Sequence, residues 1–291
     1  MFNIPFVYRG AGVGGDALPS YGNAQAILWV DASQSIYKDY GITPATMNSN
    51  VFQWNDLTVY GNNLSGTTGT SYGTSSGVPV LSAQTFSPSG SSAAFNYIEF
   101  NDSQKDYLVR NNNQKINGFT GITSGFTIFW VFKRNVSRIW SSGDPIIQYN
   151  DSWFAENSGF GIDGDSSPTV LNLWYANKSV NTTTISIPWG SGGISDTSFF
   201  YYTYRMSGGT CTGYVGEKLK AGPTTAIGSN KEMQQPGSQA ILSIASSFNS
   251  NAYAQSSPID VAEAIVYNGA LTDSQLTAVW GYLRQKYGFI S

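Results

Sequence analysis

From Ala26 onward the sequence consists of short apolar runs separated by clusters of Gly, Ser, Asn and Pro. This rhythm predicts many short strands in a β-sandwich or barrel, because such clusters form turns and interrupt helices. The run at 126–133 is apolar on both faces near its end, which predicts a central strand, whereas the Gly/Ser/Thr-rich stretch 65–92 is expected to be a loop. The predicted strands are 26–30, 51–54, 97–100, 126–133, 145–149, 159–162, 169–175, 184–188, 199–205, 210–215, 239–244 and 259–267.

One helix is indicated near the C-terminus. Thr272 and Gln275 have the spacing of a capping box, and the flanking Leu271 has that of a hydrophobic staple, while Gly288 is a typical helix end. A second, shorter helix is expected at 44–49, because proline suits a first helical turn. The apolar stripe of the C-terminal helix, which predicts that it packs on the sandwich, is Leu276, Val279, Leu283 and Tyr287.

Composition excludes several classes of function. The chain has no histidine and one cysteine, Cys211, so histidine-based relays, the common histidine metal sites, zinc sites and a disulfide framework are unavailable. Only 11% of the residues are charged and the net charge is −3, which argues against nucleic-acid binding. No apolar run approaches the roughly 18 residues of a membrane helix, so membrane insertion is not expected.

The domain organisation is predicted to be an extended N-terminal arm at 1–24 and one jelly-roll domain at 25–291. The arm is apolar enough to dock on a partner or a neighbouring subunit, although a mobile terminus is the competing interpretation. The segment has no features of a secretory signal, and its Met1 favours a protein that reaches the outside by another route. The residues proposed to form the docking arm are Phe2, Ile4, Phe6 and Tyr8.

Three local patterns occur in a characteristic order. The first comprises 28–33, 51–56 and 60–64, the second comprises 79–81, 98–102 and 107–109, and the last is 260–288. The last joins a strand, a tight turn and a capped helix that ends in Lys-Tyr-Gly. In this order the segments resemble the concanavalin A-like jelly roll in its laminin-G-like form, which is common in bacteriophage virion proteins and bacterial surface proteins. The resemblance implies an all-β sandwich of two antiparallel sheets with one C-terminal helix.

The resemblance also implies mainly structural roles for the shared residues. Trp29 and Trp54 are expected to be core aromatics, and Asp31 and Asp56 to accept hydrogen bonds in turns. Glu263 is expected to be a strand residue whose carboxylate is satisfied by backbone donors.

Glycoside hydrolases of this fold carry a Glu-x-Asp-x-(x)-Glu strand, and the nearest string here begins at Pro258. Asp260 and Glu263 align with two of the three acids, but Pro258 stands where the motif has its nucleophile. Proline can neither attack nor hydrogen-bond, so glycoside hydrolysis is a remote alternative.

Asp163 and Asp165 flank Gly164 and offer two hard oxygen ligands to calcium, the one candidate cofactor. The competing interpretation is a turn with two solvated acids.

Aromatic residues on polar loops are the physical basis of sugar recognition, because a flat ring stacks on a pyranose while amides and carboxylates hold its hydroxyls. Trp153 and Trp189 have such surroundings, with Asn150 and Asp151 nearby in sequence. Core packing is the competing interpretation for each tryptophan.

The resulting hypothesis is a non-enzymatic structural protein on the surface of a bacteriophage virion, as capsid decoration, head fibre or tail adhesin. It would be assembled in the host cytoplasm, joined to other virion proteins through its arm, and would contact host surface glycans; self-association is a further expectation. The alternative is a secreted bacterial carbohydrate-binding lectin or adhesin module.

Overall fold

The computed structural model describes residues 18, 21–22, 24–66, 78–86, 93–101, 106–110, 116–118, 125–134, 144–150, 159–164, 170–177, 180–188, 198–207, 210–225, 241–249 and 252–289. The strands are β1 (Ala26–Asp31), β2 (Ile36–Tyr37), β3 (Gln53–Trp54), β4 (Leu64–Ser65), β5 (Val80–Phe86), β6 (Ala93–Phe100), β7 (Leu108–Arg110), β8 (Phe126–Arg134), β9 (Asp144–Asn150), β10 (Gly159–Gly164), β11 (Val170–Asn177), β12 (Val180–Pro188), β13 (Phe200–Ser207), β14 (Thr210–Val215), β15 (Lys218–Thr225), β16 (Ile241–Ile244), β17 (Ser246–Asn249), β18 (Ala252–Ser256) and β19 (Ile259–Tyr267). Helix α1 spans Asp273–Tyr287.

These strands form two large antiparallel sheets and one small one within the described residues. The eight-stranded sheet has the order β15-β14-β13-β8-β19-β6-β5, and β1 also pairs with β19. The nine-stranded sheet has the order β12-β11-β10-β9-β16-β7-β4-β3-β2, and β17 pairs with β18. The predicted all-β sandwich of two antiparallel sheets with one C-terminal helix is confirmed.

The first hydrophobic core lies between the two large sheets. Alternate residues of each strand point to one face, so both sheets contribute a layer of apolar side chains to it. Its largest fully buried members are Trp54, Trp130, Tyr149, Tyr202 and Tyr204. Burying each such side chain contributes about 1.5–3 kcal/mol.

A second core lies between the outer face of the eight-stranded sheet and α1. Trp29, Phe129 and Ile265 of the sheet pack there with the helix residues Leu276, Val279, Trp280, Leu283 and Tyr287. The helix therefore packs on the sandwich as predicted. Because β8 and β19 face a core on each side, they are the buried centre of their sheet, which confirms the prediction for 126–133.

One edge of strand β19 pairs with two different strands along its length. Strand β6 pairs with its first three residues, Ile259–Val261, and β1 pairs with the later ones, including Asp31 opposite Glu263. The register against β8 slips between Val261 and Glu263, which is a β-bulge. An extra residue at this point reverses the alternation, so that Glu263 faces the helix together with Ala262.

Both ends of the helix are capped as the sequence predicts. The Thr272 side chain accepts a hydrogen bond from Gln275 N, and the Gln275 side chain accepts one from Thr272 N at 2.8 Å. Leu271 and Leu276 are both buried in the second core. Gly288 ends the helix in the left-handed region at φ 69°, where a side chain would be strained. Helix α1 is not long and apolar enough to cross a membrane.

Two local predictions were wrong. Residues 44–49 form no helix, because Asn48 takes a positive φ of 63° and its N–H bonds to Leu81 O instead of to a helical carbonyl. The stretch 65–92 contains β5, whose seven residues pair with β6 along their whole length. Its Ser and Thr side chains suggested a loop, but tertiary pairing supplies hydrogen bonds that local sequence does not reveal.

Candidate functional site

Most residues proposed from sequence as a site lie outside the described part of the chain. These are the arm residues Phe2, Ile4, Phe6 and Tyr8, the loop residues Asp151, Trp153 and Trp189, and the calcium candidate Asp165. Only the backbones of Asn150 and Asp163 are described. Asn150 is the last residue of β9, and Asp163 pairs with Asn172 within β10, so it stands in a strand rather than in a turn. Glycan and calcium binding at these positions remain predictions.

The turn acids behave as expected, and the one cysteine is buried. Cys211 is buried and free, and burial raises the pKa of its thiol to about 12, so it is an unreactive packing residue. Asp56 accepts hydrogen bonds from Trp29 N at 2.9 Å and Asn62 N at 2.8 Å. Among the described residues, no group of three or more acidic or cysteine side chains is arranged to hold a metal ion.

The acids of the hydrolase-like string are both buried. Asp260 is 3% exposed and forms an ion pair with Lys133 at 3.0 Å. Glu263 is 0% exposed and accepts four hydrogen bonds. Its donors are Trp29 Nε1 at 2.7 Å, Tyr282 OH at 2.8 Å, Lys286 Nζ at 2.7 Å and Tyr287 OH at 2.7 Å. The expectation of backbone donors was wrong, because the bulge turns this carboxylate toward the helix side chains.

Lys286, in the last turn of α1, joins Glu263 to a second carboxylate. Its Nζ lies 2.6 Å from Asp31 Oδ2, while Asp31 Oδ1 accepts hydrogen bonds from the backbone and hydroxyl of Ser33 at 2.8 Å. Two buried acids thus share one ammonium group. We call Asp31, Glu263 and Lys286, with Trp29, Tyr282 and Tyr287, the buried acid cluster.

The cluster shifts the pKa of each charged member. Burial raises the pKa of Glu263 above its ordinary value, and Lys286 only partly opposes this. Burial also disfavours charge on Asp31, but Lys286 and hydrogen bonds from Ser33 outweigh it and lower its pKa. Burial likewise opposes charge on Lys286, yet Glu263 and Asp31 outweigh it and raise its pKa. The cluster holds the helix to the sheet and leaves neither acid open to a substrate.

An exposed feature that the sequence reasoning missed is the hairpin tip, defined as residues 38–43 after β2. Lys38 N donates to Thr43 O at 3.0 Å, which closes the hairpin. The Asp39 carboxylate accepts hydrogen bonds from Ile42 N at 2.9 Å and Thr43 N at 2.7 Å. Gly41 has a φ of 84° and lies close to the Gln53 side chain. The tip is therefore a well-bonded turn at the edge of the nine-stranded sheet.

The hairpin tip displays apolar side chains to solvent. Tyr40 is 57% exposed and Ile42 is 82% exposed, and Met47 follows a few residues later at 44%. The Tyr40 ring packs edge-on against Phe52, with ring centroids 5.3 Å apart. Of the four exposed large hydrophobic residues in the described chain, two lie in the hairpin tip and Met47 lies shortly after it. The Asp-Tyr-Gly-Ile sequence could have signalled a turn, but β2 is too short for an alternation pattern.

Comparisons with known proteins show similarity of structure but not of sequence. The sequence matches no protein-family model and no curated protein. The structure resembles the binding domain of botulinum neurotoxin serotype G, with 12% identity and a TM-score of 0.55 over 89% of this chain and 51% of that one. It also resembles the binding domain of Paraclostridial Mosquitocidal Protein 1, with 14% identity and a TM-score of 0.54 over 89% of this chain and 52% of that one.

A third similar structure is a Trypanosoma rangeli sialidase in complex with sialic acid. The identity is 13% and the TM-score 0.53, over 93% of this chain and 34% of the sialidase. The chain therefore spans about half the length of the toxin binding domains and about a third of the sialidase. At these identities the likeness establishes a shared β-sandwich fold.

Proposed function

We propose that this chain is a non-enzymatic glycan-binding module. The observation that carries the proposal is the fold, which aligns over 89% of the chain with a toxin binding domain and over 93% with a sialidase bound to sialic acid. Another similar structure is the receptor binding domain of a botulinum neurotoxin C/D mosaic, with a TM-score of 0.51. A β-sandwich is a rigid frame that can present loops and sheet edges to a glycan.

The buried acid cluster supports the non-enzymatic part of the proposal. Glycoside hydrolysis needs two carboxyl groups that both reach the glycosidic bond. Glu263 is fully buried and accepts four hydrogen bonds, and Asp260 is buried beside Lys133. With Pro258 in place of the motif's first acid, this strand offers no accessible pair.

The chemistry of the surface supports recognition of an uncharged or weakly charged ligand. Only 11% of the residues are charged, and the net charge is −3. Sugar hydroxyls are bound by amides and hydroxyls, which do not require charge, and apolar sugar faces are bound by aromatic rings. The exposed Tyr40 is one ring of this kind among the described residues.

The biological setting we propose is the surface of a bacteriophage virion, with the N-terminal arm contacting other virion proteins. The low charge, the apolar residues at the start of the arm and the resemblance to laminin-G-like virion domains support this setting. Leu18 and Tyr21 pack on the second core, and Tyr21 OH donates to Gln275 O at 3.4 Å. Residues 1–17 are therefore the part of the arm to test. The second candidate is a secreted bacterial lectin, which would bind glycans in the same way but would not be part of a virion.

Binding of the full chain to an array of neutral, N-acetylated and sialylated oligosaccharides tests the proposed activity. We expect binding to a subset of these glycans, with no reducing sugar released from the same set. Release that is lost in Glu263→Gln would overturn the non-enzymatic proposal, and an array without any binding would overturn glycan recognition. A chain lacking residues 1–17 should fold and bind glycans yet fail to join phage particles; normal incorporation would contradict the role of the arm.

A further inference from the structure

We infer that the hairpin tip is a glycan-binding site, in which the Tyr40 ring stacks on a pyranose and the Gln53 and Asn55 amides bind its hydroxyls. This inference rests on the proposed function and names a site for it. None of these three residues was among the sugar-binding candidates suggested by the sequence.

Tyr40 is both exposed and held in place. The residue is 57% exposed, while the edge contact of its ring with Phe52 limits the rotation of the ring. The backbone beneath it is closed by the Lys38–Thr43 hydrogen bond and by two hydrogen bonds to Asp39. A ring that is ordered before binding loses little conformational entropy when a sugar stacks on it.

A pair of linked amides lies beside the tip. Gln53 Nε2 donates a hydrogen bond to Asn55 Oδ1 at 2.5 Å, and both side chains are half-buried. A Cβ added to Gly41 would lie 3.0 Å from Gln53 Nε2, so this amide lies close beside the turn that carries Tyr40.

The linked pair leaves hydrogen-bonding capacity for a ligand. Within the described residues, Gln53 Oε1 and Asn55 Nδ2 form no hydrogen bond with protein, which leaves one acceptor and one donor group. Neighbouring hydroxyls of a sugar can each donate and accept, so they match such a pair. The matching partner is therefore a polyol with an apolar face, as a pyranose is.

The hairpin tip carries two opposite charges. Hydrogen bonds from Thr43 hold the pKa of Asp39 below its ordinary value, and its carboxylate is occupied by backbone N–H groups. Lys38 carries the opposite charge at the neighbouring position and is exposed. The tip is therefore close to neutral, which suits a glycan better than a phosphate or a nucleic acid.

The size of the tip also favours a sugar over a protein partner. A stable protein interface buries at least about 1,000 Å² in total with 20–30 residues on each side. The exposed apolar residues here lie in one short loop, and the amides beside them are open to hydrogen bonding. A single sugar unit is covered by about one ring and a few polar groups.

The test compares variants on the same oligosaccharide array, followed by calorimetric titration of the glycan that binds best. Tyr40→Ala should weaken binding by about tenfold or more, because an aromatic anchor is lost. Tyr40→Phe keeps the ring and should restore binding to within about threefold of the wild type. Asn55→Ala should weaken binding by about threefold to tenfold. The control is Val59→Ala, which lies in the next loop of the same sheet, is 97% exposed and should have no effect.

The outcomes separate this inference from the proposed function. If the wild type binds glycans and Tyr40→Ala and Asn55→Ala bind them equally well, the hairpin tip is not the site, while glycan recognition stands. If the wild type binds no glycan, both are overturned. If Tyr40→Ala instead converts a dimer to a monomer in analytical ultracentrifugation, the tip is a contact between copies of the chain and the inference is overturned.

Discussion

Tyr287 and Tyr40 illustrate two different uses of the same side chain. The Tyr287 hydroxyl is buried and donates to Glu263 at 2.7 Å, so it belongs to a network that joins helix to sheet. Tyr40 is 57% exposed, on a turn that is closed by hydrogen bonds of the backbone and of Asp39. The buried acid cluster therefore bears on stability, whereas the hairpin tip exposes apolar side chains to solvent. Measurements of stability and of binding should separate the two regions.

The largest effect is expected from Glu263→Ala. Removing this carboxylate leaves Trp29 and two tyrosine hydroxyls without their buried acceptor and leaves Lys286 with Asp31 as its one buried carboxylate partner. Breaking a buried ion pair costs about 3–5 kcal/mol of unfolding free energy. Denaturant titration at neutral pH measures the loss. Glu263→Gln keeps a hydrogen-bond acceptor, so its unfolding free energy should fall by about half as much. Equal decreases in the two variants would contradict the importance of the hydrogen bonds.

The pH dependence of stability is expected to depend on Lys286. Its pKa is raised in the folded protein, since Glu263 and Asp31 outweigh burial. Such a group stabilises the fold fully below its unfolded pKa of about 10.4, and this stabilisation is lost as the pH rises through the folded value. The unfolding free energies of the wild type and of Lys286→Met should therefore converge at alkaline pH. Denaturant titrations from about pH 8 to pH 11 measure this, and parallel curves would contradict it.

Trp29→Phe is expected to have an intermediate effect. Trp29 Nε1 donates to the Glu263 carboxylate at 2.7 Å, whereas Trp280 Nε1, in the same core, donates to the Thr203 hydroxyl at 2.9 Å. Hydrogen bonds to charged groups contribute about 1.5–3 kcal/mol, and those between neutral groups about 1 kcal/mol. Trp29→Phe should therefore destabilise the fold more than the matched Trp280→Phe. Thermal unfolding compares them, and a smaller loss for Trp29→Phe would mean that Glu263 finds another donor.

The smallest effect on stability is expected at the hairpin tip. Substitutions on exposed surfaces usually change the unfolding free energy by no more than about 0.5 kcal/mol. Tyr40→Ala should stay near this limit, while binding of the selected glycan falls. Denaturant titration alongside calorimetry measures both quantities. A large loss of stability would show that the Tyr40–Phe52 contact is structural and that the comparison between the two regions fails.

Much of the fold could be predicted because its signals are local. Thr272 and Gln275 cap a helix through groups within one turn, and the predicted strands 210–215 and 259–267 match β14 and β19. The strands that were missed lack such signals. Strands β2 and β4 have two residues each, and β15 contains Gly222 and Pro223, which suggest a turn but are tolerated at a sheet edge.

The candidate sites were harder to predict, because they depend on residues far apart in sequence. Glu263 was expected to be structural, but its contacts with Trp29 and Lys286 require β1, β19 and α1 to meet. Tyr40 stands out only when its exposure and its contact with Phe52 are known. Trp153, Trp189 and Asp151 lie outside the described residues, so glycan binding there stays a prediction.

The sequence alone determined the class of the fold, its one capped helix and the chemistry that is unavailable to it, because these follow from periodicity, local capping and the lack of histidine. Only the tertiary structure decided how the acids and aromatics are used. A one-residue bulge turns Glu263 toward α1, and a closed turn leaves Tyr40 in solvent. Burial and exposure arise from contacts between distant segments, and they decide whether the same side chains stabilise the fold or meet a ligand.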